Sequence, residues 1–123
     1  MSNELWRKSA LDLAEGIRSK KFSSREVIDA HLARIDVVNP KVNALIHVMA
    51  DEARAGADAA DTALAQGGPI GPLHGVPYTV KINIDVAGQA TTQGITALAE
   101  AIPAIDAPTI ERMRASGAIM LGR

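Results

Sequence analysis

Gly71 to Gly94 reads GPLHGVPYTVKINIDVAGQATTQG, and the fold turns on it. From Val76 to Asp85 the chain alternates without a break. Val76, Tyr78, Val80, Ile82 and Ile84 fall on one face, and Pro77, Thr79, Lys81, Asn83 and Asp85 on the other. A period of two, rich in β-branched side chains, predicts a half-buried strand over 76–85. Gly71-Pro72 and Gly75 punctuate its start and Gly88 its end. Lys81, the only lysine after Lys41, stands in the middle of the polar face between Thr79 and Asn83. A strand would hold its amine with little freedom. The plain alternative is a solvated lysine on the wet face of a sheet.

Working outward, the segment before this stretch is patterned for helices. Ser9 precedes ALDLAEGIR and suits a cap, with Leu13 and Ile17 as the apolar positions. Ser23-Ser24-Arg25-Glu26 has the form of a capping box, with Ser23 as N-cap and Glu26 at the third position. Behind it Val27, Ile28, Leu32, Ile35 and Val38 make one apolar stripe, and Asn39-Pro40 is expected to stop the helix. Val42 to Val48 reads as a short strand or an extended link. Asp51 to Gln66 is a helix whose small apolar face is Ala50, Ala53, Ala57, Ala60 and Leu64, closed by Gly67-Gly68-Pro69.

After the central stretch, Gly88 to Ala104 shows no firm period. Asp106 is placed to cap a further helix, with Pro108 in its first turn and Gly117 at its close. Ala118 to Leu121 is a second apolar strand. Strand, helix and strand in succession predict a parallel pair. The fold class is therefore α/β. Residues 1–70 are mainly helical and 71–123 are strand–helix–strand. The second strand is either an edge or part of a larger sheet, because a parallel strand is ordinarily covered on both faces.

Composition narrows the function classes. The chain has 123 residues, so it is one domain or part of one. Net charge is -1 with no long run of one sign, which argues against a nucleic-acid footprint or a polybasic membrane patch. Cysteine is absent, so there is neither a disulfide nor a thiolate metal site. No stretch approaches a membrane span and Met1 to Lys8 has no signal core, so a soluble cytoplasmic protein is expected. His31, His47 and His74 match no ligand spacing, so no metal is expected. The glycines before Lys81 lack the G-x-x-x-x-G-K-[ST] pattern of a phosphate loop, and no partners for a pyridoxal cofactor accompany Lys81.

Gly71-Pro72-Leu73-His74-Gly75-Val76-Pro77, then Val80-Lys81-Ile82-Asn83, then Ala87-Gly88 and TTQG resemble the lysine strand of the amidase signature family. Ser23-Ser24-Arg25-Glu26, HLARID and NPKVNAL are similar to its N-terminal helices, and DAPTIERMRASGAIMLGR to its next helix and strand. The resemblance runs nearly end to end. It implies that residues 1–123 are the N-terminal portion of a single α/β/α domain with a mixed central sheet. It implies hydrolysis of a carboxylic amide C–N bond, without metal or cofactor, through a Ser–cis-Ser–Lys triad.

On that resemblance Lys81 is the general base. Both triad serines are expected in a glycine- and serine-rich stretch beyond Arg123, and Ser2, Ser9, Ser19, Ser23, Ser24 and Ser116 are read as caps or solvated residues. Ile82 stands where many members carry an acid, which leaves the branch and the substrate open. The implied partners are a small-molecule amide and the remainder of the amidase domain, with exposed strand edges through which copies could form a homo-oligomer. Two other readings stand beside this one. The chain is a non-catalytic remnant or accessory module, or it belongs to the A subunit of a tRNA-dependent amidotransferase.

Overall fold

The first two helices begin where a serine side chain satisfies a free N–H group. The computed structural model describes residues 2–123. After a short 3-10 turn at Ser2–Arg7, helix α1 spans Ala10–Arg18, and the Ser9 hydroxyl accepts the Asp12 N–H at 3.1 Å. Helix α2 spans Ser24–Val42. The Ser23 N–H donates to Glu26 Oε2 at 2.8 Å and the Glu26 N–H to Ser23 Oγ at 3.0 Å, which closes the capping box.

A second carboxylate completes that helix start. Asp61, on helix α3 (Ala50–Ala65), accepts the Ser24 and Arg25 N–H groups at 2.7 and 3.0 Å. A negative charge at a helix N-terminus is favourable both as an acceptor and against the macrodipole. Ala53, Ala57 and Ala60 are buried on the inner face of α3, and such small side chains let it lie close to α2. Arg25 pairs with Asp29 and Asp58, and Arg54 with Asp29, along the rim of the contact. The Arg54 hydrogen bond, with Arg25 beside it, holds the Asp29 carboxyl below the usual carboxylate range.

Helix α2 does not stop at Asn39, as its sequence suggests, but runs through Pro40 to Val42. A proline this near the end forfeits only one bond of the last turn. Asn39 then fastens the exit. Its side chain donates to the Leu45 carbonyl at 2.8 Å and accepts the Leu45 N–H at 3.0 Å. The helix ends at Asn43, whose φ of 48° turns the chain left-handed.

Strands β1 (Pro77–Thr79) and β2 (Ile119–Gly122) pair in parallel, joined by a crossover containing helix α4 (Pro108–Ala115). Strand β1 is far shorter than the alternation of 76–85 predicts. The register slips between Tyr78 and Thr79, so that Thr79 faces Gly122, and the chain leaves the sheet after Val80. Strand β2 is not an edge. The extended link before α3 runs antiparallel along its other side, with the Met49 N–H on the Leu121 carbonyl at 2.9 Å and the Arg123 N–H on the His47 carbonyl at 2.8 Å. A Cβ at Gly122 would stand 2.6 Å from the His47 oxygen, so a glycine is what allows this approach.

Both faces of β2 are covered. Leu121 packs with Ile28, Leu32, Ala53 and Ala57 of α2 and α3, while Met120 packs with Val80, Val86 and Ile110 on the opposite side. The architecture is therefore α/β, with helices about a small mixed sheet. Asp106 does not cap α4. Ala107 occupies the N-cap with no side-chain bond, and Pro108 at the first position needs no N–H acceptor. Among the described residues no helix is long and apolar enough to cross a membrane.

Candidate active site

The site is built where β1 gives way to a turn. The Val80 N–H donates to the Gly122 carbonyl at 3.0 Å, the last sheet bond on this side. The Ile84 N–H then returns to the Lys81 carbonyl at 3.0 Å and closes a turn over Lys81, Ile82, Asn83 and Ile84. Asn83 in the centre of this turn is in keeping with its preference for such positions. Lys81 thus stands at the head of the turn rather than in the middle of a strand. Its side chain is exposed and makes no hydrogen bond or ion pair among the described residues.

Beside the turn lies an open groove of about 380 Å³ lined by Ile46, His47, Ile82, Gln89, Thr92 and Arg123. Ile82 is half-buried in it. Arg123 is 4% exposed and also lines the groove, donating to the Ile84 carbonyl at 2.7 Å and to the Ala90 carbonyl at 2.9 Å. Gln89 Oε1, Thr91 Oγ1 and Arg123 Nε are buried without a hydrogen-bond partner among the described residues. Burial pushes the Arg123 guanidinium down from its usual value, and Asp85 partly opposes this.

Asp106 holds the next part of the loop. Its carboxylate accepts the Ala87 N–H at 2.8 Å and pairs with Arg114 Nε at 2.8 Å. The Ala87 bond, with Arg114 beside it, sets the Asp106 carboxyl below the usual carboxylate range. Tyr78 buries its hydroxyl without a partner among the described residues, and that burial raises its pKa.

The described serine side chains serve the backbone. Ser9 and Ser23 cap helices, Ser19 donates to the Gly16 carbonyl, Ser24 to the Gly75 carbonyl and Ser116 to the Met113 carbonyl. The Ser2 side chain lies outside the described residues. His31 Nδ1 meets the Val27 carbonyl at 2.8 Å and His74 Nε2 the Ala60 carbonyl at 2.8 Å. No cluster of three metal-ligating side chains occurs among the described residues. Arg123 and Asp106 were not legible as parts of this site. Arg123 offered one signal, a charge placed directly after a buried apolar strand.

A sequence model of the Amidase family matches residues 26–123. The indoleacetamide hydrolase of Bradyrhizobium diazoefficiens is 42% identical over 118 residues, which are 96% of this chain and 22% of that protein. The A subunit of the glutamyl-tRNA(Gln) amidotransferase from Granulibacter bethesdensis is 43% identical over 109 residues, 89% of this chain and 22% of that protein. Among solved structures, a bacterial aryl acylamidase of the amidase signature family superposes with a TM-score of 0.86 at 33% identity, covering 94% of this chain and 24% of that one. The chain thus spans less than a quarter of the length of these relatives.

Proposed function

We propose a function for this chain, which belongs to the amidase signature family: it is the lysine-bearing portion of an amidase that hydrolyses a carboxylic amide C–N bond, with Lys81 as general base. The observation that carries this reading is the position of Lys81. Lys81 is exposed, without a hydrogen bond or ion pair among the described residues, at the head of a turn whose Ile82 lines an open groove and whose backbone is fastened on both sides.

In the proposed reaction the neutral Lys81 amine accepts a proton through a bridging serine. The nucleophilic serine then attacks the amide carbonyl, and the proton passes back to the departing nitrogen as the C–N bond breaks. Water hydrolyses the resulting acyl ester by the same relay. The rest of the domain would cover Lys81 and the turn that carries it. Ile95, Ile102 and Ile105, which are more than half exposed, would supply apolar surface for that remainder. On this reading the two serines belong to that remainder and the 123-residue chain does not turn over amides by itself.

A second reading assigns the segment to the A subunit of a tRNA-dependent amidotransferase, where the ammonia released from an amide would be transferred rather than lost. The similarity to such subunits favours it. Assays of the purified chain and of the complete protein, with aliphatic and aromatic amides and an activated ester, test the proposal. Turnover by the complete protein alone supports it. Turnover by the 123-residue chain that survives purification and disappears with Lys81→Ala overturns the division of the triad.

A further inference from the structure

We propose that Arg123 is a positioning residue for Lys81: its buried guanidinium clamps the turn that presents the amine. The inference rests on the reading of Lys81 as the base, but its geometry is independent of that role. Gly122 and Arg123 are consecutive, and between them they hold both sides of Lys81. Gly122 O accepts the N–H of Val80, the residue before Lys81, at 3.0 Å. Arg123 donates at 2.7 Å to the carbonyl of Ile84, whose N–H closes the turn on the Lys81 carbonyl. The other arm of the fork reaches the Ala90 carbonyl at 2.9 Å, so one side chain ties together the two ends of the 84–90 loop.

The choice of residue is informative. A buried cation carries a desolvation cost that a single neutral acceptor does not offset. Arg123 is 4% exposed, and no carboxylate oxygen bonds to its guanidinium among the described residues. Its charge is met by carbonyl dipoles from both ends of one loop, with the Asp85 carboxylate acting on it without a hydrogen bond. A planar fork suits this task, because its donors diverge in fixed directions and lose little freedom on binding. An ammonium on a flexible stem reaches one carbonyl well and the other poorly. Arg123 is itself held, with its N–H on the His47 carbonyl and its own carbonyl accepting from Ile46 and His47. The anchor therefore belongs to the sheet, and the Lys81 turn inherits the sheet's rigidity through it. A base must be kept within hydrogen-bond reach of its proton donor, so a loose turn would lower the chemical step before it altered substrate binding.

Amide hydrogen exchange of this chain tests the clamp. In Arg123→Met the Ile84 amide should exchange at least about tenfold faster, because the turn opens locally, while the Val27 and Ile28 amides of α2 keep their protection. Arg123→Lys should fall between, and it keeps the test available where the methionine variant does not fold. Unchanged Ile84 exchange in either variant, or acceleration shared equally by α2, overturns the clamp. In the complete protein Arg123→Lys should lower kcat at nearly constant KM. A raised KM with unaltered kcat overturns the positioning role. Lys81→Ala separates the two claims: full activity in that variant sinks the base reading alone, whereas the exchange result judges Arg123 by itself.

Discussion

Ser24 donates its hydroxyl to the Gly75 carbonyl at 2.7 Å, and so fastens the first turn of α2 to the loop that feeds β1. Ser24 is wholly buried, and Gly75 has a φ of +77°, a conformation that disfavours any side chain. A Cβ at Gly75 would also stand 2.7 Å from Ser24 Oγ. Ser24→Ala leaves a buried carbonyl without its donor and should cost about 1–3 kcal/mol. Gly75→Ala should destabilise as well, and the two losses should not add, since both act on one contact. Urea melts of the two single variants and the double variant check this.

Asp61 is expected to matter through α2 rather than through its own helix. Asp61→Ala removes both acceptors from the Ser24 and Arg25 N–H groups and should cost about 1 kcal/mol, the usual loss for a helix cap. Asp61→Asn keeps one acceptor and should cost less. Equal urea midpoints for wild type and Asp61→Ala would remove the carboxylate from the account of this helix start.

Asp106 predicts an acid sensitivity in the loop that follows Lys81. Its carboxyl is held below the usual range, first by the Ala87 N–H and then by Arg114. A depressed folded-state value means that the stabilisation is complete above the ordinary carboxylate pKa of about 3.9 and is lost as pH falls below it towards the folded value. Asp106→Asn should therefore flatten the stability curve on the acid side and lower stability at neutral pH. Thermal melts of both proteins across the acid range would show it. Parallel curves would exclude Asp106 as a contributor.

How far the sequence exposes this architecture depends on the range of each interaction. The capping box of Ser23 and Glu26 is legible because both partners lie within one turn. The parallel pairing of β1 with β2 is legible from the order of strand, helix and strand. The length of β1 is not. Alternation continues through Ile82, Asn83 and Ile84 because a turn seated over a groove also buries apolar side chains and exposes polar ones. Asp61 bonds across 37 residues to Ser24, and nothing local marks it. Asp106 misleads for the opposite reason: an acid just before Ala107-Pro108 has the form of a cap, yet its acceptors serve Ala87 and Arg114. The motif around Lys81 is legible, but its place at the head of a turn rather than in mid-strand is not, and the side chain that fastens that turn, Arg123, comes from the far strand.

Turnover by the complete protein carrying Lys81→Arg decides whether Lys81 acts as the base. Arginine keeps the charge and much of the stem but stays protonated, so it cannot accept a proton from serine. Alongside a folded-state control by circular dichroism, kcat on a simple amide should fall about 10²–10⁴-fold, the usual worth of a general base, and Lys81→Ala should fall similarly. Near-normal kcat in Lys81→Arg would rule out proton transfer to Lys81 and leave it with an electrostatic or structural part.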